Sequence, residues 1–239
     1  MTGSARIEIT GVIKRYPGLR PLRIAGLTVS PSDRLVVSGL DAGAAEVFIN
    51  LVTGASLADE GDVWVNGRNT RDIATDTEWL ASLDTFGIVT ERAVLLEKLN
   101  VAANLALPLT VAIDPIPDEM RPRVDALGAE VGLSRARLEA PASTLSPLER
   151  VRAHMARALG PAPGILLLEH PTARLDHAGA AAIGRTLREV SAARGIGWIA
   201  LTEDEHFAQA AGGRRLHLEA STGQLKPAGF WRKIQRVIG

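Results

Sequence analysis

The sequence predicts an α/β protein in which antiparallel strands precede a parallel sheet and a helical segment interrupts that sheet. Short β-like runs separated by turn residues recur over residues 6–38, a pattern typical of antiparallel strands leading into a buried strand. A helical pattern then fills residues 91–160. After it, the apolar run 165–168, the helical pattern 177–194 and the apolar run 198–202 alternate as strands and helices do in a parallel sheet.

Local signals predict the elements of the first half. The strand that ends at residues 36–39 is followed by a Gly/Ala-rich turn, and residues 46–52 then carry the apolar pattern of a buried helix. Residues 62–66 alternate between polar and apolar side chains as a strand should. The pair Asn66-Gly67 is a strong turn signal, so a hairpin is expected there.

The second half contains a clear helix start. Serine caps a helix, and proline in the first turn costs no hydrogen bond, so Ser146 and Pro147 predict a helix that runs through Leu159. The last ten residues, FWRKIQRVIG, form an amphipathic basic pattern. Such a tail is most often surface packing and less often a partner contact.

Composition limits the classes of function. Of the 239 residues, 46% are hydrophobic and 23% are charged, which is typical of a compact soluble domain. Lysine and arginine total 27 and equal aspartate and glutamate, so no net charge favours nucleic acid as a partner. The absence of cysteine excludes disulfides, thiol catalysis and cysteine-ligated metal.

The sequence also bears on location. The start, MTGSARIEITGVIK, has no apolar core of a secretory signal. No apolar run approaches the ~20 residues that cross a bilayer. We therefore expect a cytoplasmic protein, which would serve any membrane machine from the cytoplasmic side.

Three segments carry a resemblance to a known family. The run ILLLEHPTARLD, residues 165–176, resembles a Walker B strand followed by a D-loop, and LSPLERVRAHMARAL, residues 145–159, resembles a signature helix. The run that begins at Arg92, RAVLLEKLNVAANLALPL, resembles the segment after the Q-loop. In order and spacing these match the ABC ATPases over nearly the whole chain, particularly the branch that serves lipoprotein-release and macrolide-export transporters.

This resemblance implies one ABC-type ATP-binding domain over residues 1–239. Its fold would be a P-loop NTPase (RecA-like) core, formed by residues 1–90 and 161–239, with an N-terminal antiparallel β-subdomain. Residues 91–160 would form the inserted α-helical subdomain. ATP and Mg²⁺ are the cofactors that the resemblance implies.

The phosphate-binding loop departs most from the family. A P-loop has the pattern G-x-x-x-x-G-K-S/T, because backbone N–H groups wrap the phosphates, lysine neutralises their charge and the hydroxyl binds magnesium. The aligned stretch here is GLDAGAAEV, residues 39–47. Gly39 is retained, but Ala44, Ala45 and Glu46 replace the last glycine, the lysine and the hydroxyl residue. A cation has been lost and an anion gained.

Other family positions change in the same direction. Glu91 replaces the Q-loop glutamine, and Glu169 replaces the aspartate that orients magnesium. His170 stands at the glutamate that activates water, and Glu203 stands at the switch histidine. Carboxylates close to a triphosphate repel it. We therefore expect ATP binding to be weak or absent.

Some positions of the resemblance are retained. Tyr16 stands at the aromatic residue that stacks on adenine, although an isolated aromatic near a strand end is as often packing. In the signature, Pro147 and Leu148 replace two glycines, so only Ser146 remains, and Asp176 closes the D-loop. The cofactor-binding positions that the resemblance implies are Tyr16, Gly39, Leu40, Asp41, Ala42, Gly43, Ala44, Ala45, Glu46, Val47, Glu91, Ser146 and Asp176.

Two chemical alternatives stay open from the sequence. His170 is either a substitute general base or a structural histidine, and the loss of the lysine favours the structural role. Glu46, Glu91 and Glu169 either form a carboxylate cluster that binds a divalent cation or are separate solvated side chains, which is the favoured interpretation.

The function that the resemblance implies is a pseudo-ATPase subunit of a transporter. It would pair with another cassette or with itself, and it would dock on a membrane permease through the helical subdomain and the segment after Glu91. It would lie at the inner face of the membrane. A true ATPase with atypical residues and a regulatory or scaffolding homologue are the alternatives.

Overall fold

A computed structural model describes residues 6–228, so the basic pattern at the carboxyl end lies outside the described residues. The described chain forms two sheets, one of four strands in the order β2-β1-β4-β5 and one of six in the order β10-β9-β3-β8-β7-β6. The strands of the first sheet are β1 (Ile7–Lys14), β2 (Leu22–Val29), β4 (Glu60–Val65) and β5 (Arg68–Asn69). Those of the second are β3 (Arg34–Ser38), β6 (Phe86–Val89), β7 (Ile165–Glu169), β8 (Gly197–Leu201), β9 (Arg214–Glu219) and β10 (Gln224–Pro227).

The predicted order of antiparallel and parallel strands is confirmed. In the first sheet β1 pairs antiparallel with both β2 and β4. In the second sheet β3, β6, β7, β8 and β9 run parallel, and only β10 pairs antiparallel, with β9. The architecture is therefore that of a mixed α/β fold with a separate antiparallel sheet.

Eight α-helices accompany the sheets within residues 6–228. They are α1 (Ala42–Val52), α2 (Asp76–Leu83), α3 (Val101–Ala106), α4 (Arg121–Glu130), α5 (Arg135–Glu139), α6 (Pro147–Leu159), α7 (His177–Arg194) and α8 (Glu205–Ala211). The helices α3 to α6 lie inside the region 91–160 that the sequence marks as a helical insertion. None of the helices in the described chain is long and apolar enough to span a bilayer.

Local capping explains the two helices that the sequence predicts best. The Ser146 side chain caps α6 in a reciprocal capping box with Glu149. Asp176 caps α7, and Gly195 ends it in the left-handed conformation, with φ 66°. Both helices begin and end at the predicted residues.

The predicted start of α1 is wrong. The sequence places a turn before Glu46, whereas the helix begins at Ala42. Asp41 is the reason, because its extended backbone and its side chain, which accepts from the Ala44 N–H, form an N-cap. The Gly/Ala-rich stretch is therefore mostly helical.

The core lies on both faces of the six-stranded sheet. On β7, Leu166 and Leu168 pack against the helices of the insertion, whereas Ile165 and Leu167 pack against α1 and the antiparallel sheet. All five residues of β7 are buried, which accounts for the uninterrupted apolar pattern of this strand. The inserted helices thus share one hydrophobic core with the sheet.

Candidate functional site

The candidate site lies at the carboxyl ends of β3, β7 and β8, where parallel sheets bind ligands. The loop after β3 contains only residues 39–41 before α1 begins. Three backbone N–H groups in this loop and in the first turn of α1 are used internally. The Gly39 N–H donates to Glu203 Oε1 at 2.5 Å, and Asp41 accepts the N–H groups of Ala44 and Ala45 at 2.8 and 2.9 Å. These three N–H groups are unavailable to a phosphate.

The residues that the resemblance places at the lysine and second glycine positions of a P-loop are part of the core. Ala45 is 0% exposed and Ala44 7% exposed. Leu40 is also buried, and Val47 packs partly against the same core. This part of the predicted loop therefore serves packing.

Arg92 occupies the centre of the site. Its Nη1 lies 2.7 Å from Glu46 Oε1, and its Nη2 lies 2.6 Å from Glu169 Oε2. Its Nε also donates to Glu169 Oε2, at 3.2 Å. The Glu169 side chain is only 8% exposed, and a buried carboxylate requires such a partner. A guanidinium of the chain itself thus bridges two of the carboxylates predicted to lie at magnesium positions.

The third carboxylate of the hypothetical metal cluster has a partner of its own. Glu91 Oε2 lies 2.8 Å from Arg174 Nε. No group of three or more side chains that could hold a metal ion occurs among residues 6–228. The structure thus gives Glu46 and Glu169 a shared arginine partner and pairs Glu91 separately.

Tyr16 lies beside the start of α1. A Cβ atom built on Gly43 would be 3.1 Å from Tyr16 Cε2, so the ring covers this glycine closely. Burial raises the pKa of Tyr16, and the charge of Asp41 raises it further. Four of the predicted cofactor-binding residues line one cavity of ≈ 360 Å³, namely Tyr16, Gly39, Asp41 and Ala44.

His170 directly follows the last residue of β7. Its φ is 42°, in the left-handed region, and its backbone N–H donates to Leu201 O at 2.9 Å. Its Nε2 is buried and has no hydrogen-bond partner in the described chain.

Two of the predicted cofactor-binding residues serve as helix caps. In the capping box Ser146 Oγ accepts from the Glu149 N–H at 3.4 Å, and Glu149 Oε2 accepts from the Ser146 N–H at 2.9 Å. The Asp176 carboxylate accepts from the Gly179 N–H at 2.7 Å. Their presence in the sequence therefore has a local structural explanation.

A groove lies between the segment after Glu91 and helix α6. It has a volume of ≈ 260 Å³ and is lined by Val94, Leu145, Pro147, Val151 and His154, among others. Val94 is 70% exposed. Ion pairs of Glu91 with Arg174 and of Glu97 with Arg150 (3.5 Å) neutralise the charges at the groove.

His154 is the one buried titratable side chain that lines this groove. Burial lowers its pKa to about 4, and the charges of Arg157 and Arg150 contribute in the same direction. Its Nδ1 lies 3.2 Å from Arg157 Nη2. Arginine has no acceptor, so Nδ1 must accept and the neutral ring carries its proton on Nε2.

The arginines were not identified from the sequence as site residues. They are Arg92 and Arg174 at the carboxylates, and Arg20 and Arg23 in the cavity beside Tyr16. A signal for Arg92 and Arg174 did exist. The resemblance places several carboxylates in one predicted pocket. Such a set is stable only when cations form ion pairs with it.

Comparison with known proteins gives consistent matches. The ABC transporter family model matches residues 27–173. The lipoprotein-releasing system ATP-binding protein LolD of Pseudomonas syringae pv. tomato is 32% identical over 183 residues, which are 77% of this chain and 80% of that protein. The macrolide export ATP-binding/permease protein MacB of Agrobacterium fabrum is 27% identical over 86% of this chain and 32% of its own length.

A solved structure gives the same architecture. The dimeric ATP-binding cassette MJ0796, bound to ADP and Pi in a post-hydrolysis state, superposes with a TM-score of 0.75. It is 21% identical, and the match covers 92% of this chain and 98% of that one. This likeness supports the P-loop NTPase fold of the ATP-binding cassette type.

Proposed function

Because the chain belongs to the ABC transporter family, we propose that it is a pseudo-ATPase cassette, which keeps the fold of an ATP-binding subunit and no longer hydrolyses ATP. The observation that carries this proposal is the position of Arg92 between Glu46 and Glu169. A cation of the chain itself fills the place where the family's fold would put magnesium. Mg-ATP does not fit the residues that surround it.

Electrostatic repulsion between carboxylates and phosphate supports the weak binding of ATP. Two unit charges 4 Å apart interact by about 4 kcal/mol at an effective dielectric constant of 20. Glu203 already accepts from the Gly39 N–H, so a phosphate oxygen near Gly39 would meet a carboxylate that occupies this donor. The side chain of Ala45 supplies no compensating charge.

The proposed role is to pair with another cassette, or with a second copy, and to dock on a membrane permease. Two observations support it. A relative in the same family is a fused ATP-binding/permease protein, and a solved cassette of the same fold is dimeric. The groove beside Val94 offers an exposed apolar side chain with its neighbouring charges already paired. In this role the chain would lie at the cytoplasmic face of the membrane.

Calorimetric titration with Mg-ATP tests the loss of nucleotide binding. We expect no binding by the parent chain. The variant Ala45→Lys with Glu46→Ser restores the lysine and the hydroxyl, and it frees Arg92 from one carboxylate, so it should gain measurable affinity. The matched control is Ala129→Lys with Glu60→Ser, which makes the same changes at exposed residues outside the site and should not bind.

Tight binding by the parent would contradict the pseudo-ATPase proposal and favour an active enzyme with atypical residues. Because Ala45 is fully buried, the melting temperature of the restored variant must be measured first. If that variant does not fold, Glu46→Ser with Arg92→Gln tests whether the internal ion pairs alone exclude Mg-ATP.

Substitution in the groove tests docking. Val94→Asp places a carboxylate on a surface that a bound permease would bury, so it should reduce recovery of a co-expressed permease by more than tenfold. Val111→Asp is the matched control, because Val111 is 103% exposed and does not line the groove. Equal recovery of the permease with both variants would place docking elsewhere.

A further inference from the structure

Residues 91–94, called the strap below, are held from two sides. On the core side, Arg92 pairs with Glu46 of α1 and Glu169 of β7. On the helical side, Arg157 of α6 donates to the carbonyl oxygens of Ala93 and Val94, with 3.0 Å between Nη1 and Val94 O. The strap follows β6 and lies next to the groove, which Glu91 and Val94 line.

We propose that Arg92 is a built-in cation that fills the site between Glu46 and Glu169 and, together with Arg157, fixes the strap and the groove in one arrangement without nucleotide. This inference rests on the proposed loss of ATP binding, because a nucleotide would compete with Arg92. It adds a conformational role for this contact, which the loss of binding does not itself require.

The geometry favours arginine for this role. A guanidinium is planar and carries several N–H groups, so one side chain can bind two carboxylates at once. Nη1 serves Glu46 while Nε and Nη2 serve Glu169. A lysine is a single point charge, so it would hold the pair less well. Glu169 is 8% exposed and cannot exchange its partner for bulk water at low cost.

Arg157 attaches the strap to helix α6 by hydrogen bonds to two backbone carbonyl groups. It also lies 3.2 Å from His154 Nδ1, so one guanidinium joins the strap backbone to the floor of the groove. Burial lowers the pKa of Arg157, which reflects a charge held largely away from water. The strap is therefore anchored to α1 and β7 by its own Arg92 and to α6 by Arg157.

Hydrogen exchange and calcium calorimetry on the full chain test this role of Arg92. In Arg92→Gln we expect the Ala93 and Val94 amides to exchange about tenfold faster, since charge-assisted bonds on one side are lost. We also expect a calcium-binding heat that the parent lacks, because Glu46 and Glu169 become free oxygen ligands. Arg92→Lys should show faster exchange but no calcium heat.

Arg185→Gln is the matched control, because Arg185 is exposed on α7 and forms no ion pair among the described residues. It should match the parent in both measurements. A folded Arg92→Gln chain with parental exchange and no calcium heat would overturn the proposal. If Arg92→Gln does not fold, Arg157→Gln must accelerate exchange at Val94, and unchanged exchange would overturn it instead. Mg-ATP binding by the parent is a separate result, which would contradict the proposed function.

Discussion

Gly39→Ala is expected to lower the free energy of unfolding by about 2–5 kcal/mol. Gly39 has φ 89°, where an L-residue is strained by about 1–2 kcal/mol. A Cβ atom at this position would also lie 2.3 Å from the backbone oxygen of Leu218. That oxygen belongs to β9 and cannot rotate away, so the sheet itself must shift, at a further cost of about 1–3 kcal/mol.

Chemical denaturation measures this loss, and Gly67→Ala is its matched control. Gly67 has a similar φ of 79°, but a Cβ there would meet nothing within 4 Å. The control should therefore lose only the conformational part, about 1–2 kcal/mol. If both variants lose the same amount, the close approach of Leu218 does not constrain this loop.

The same contact explains why one glycine of the predicted P-loop is retained. Gly39 is required by its backbone conformation and by β9, whether or not a phosphate binds. At the other glycine position Ala44 is tolerated, because helix α1 has already begun there. The surviving glycine is thus a feature of the fold and carries no information about ATP.

The sequence predicts elements well where the deciding interactions are local. Helix α6 is defined by Ser146 and Pro147 at its start, and α7 by the Asp176 cap and Gly195. The buried parallel strands are recognisable because both of their faces are apolar. The predicted start of α1 was wrong because the Asp41 side chain caps the helix where a loop was expected.

The site is harder to predict because its contacts are distant along the chain. Arg92 meets Glu46 and Glu169, which are 46 and 77 residues away. Both carboxylates were predicted from the sequence to replace residues of the nucleotide site. No sequence pattern indicated that one arginine lies between them. The cavity beside Tyr16 was predicted only in part, since its arginines come from a turn and a strand edge.

The unfolding free energy is also expected to fall by about 3 kcal/mol between about pH 7 and about pH 4 through His154 alone. Burial, with the charges of Arg157 and Arg150, lowers the pKa of His154 from 6.5 to about 4. In this pH range His154 therefore binds a proton in the unfolded chain but stays neutral in the folded chain. The stability is fully present above about pH 6.5 and is lost as the pH falls through about 4.

His154→Gln isolates this contribution, because glutamine can accept from Arg157 and does not titrate. Denaturation across the pH range should give a difference between parent and variant that grows as the pH falls. Acidic groups contribute equally to both proteins and cancel. His177→Gln, at an exposed histidine, should follow the parent. Parallel profiles for the parent and His154→Gln would mean that the folded groove accepts a positive charge on His154 beside Arg150 and Arg157.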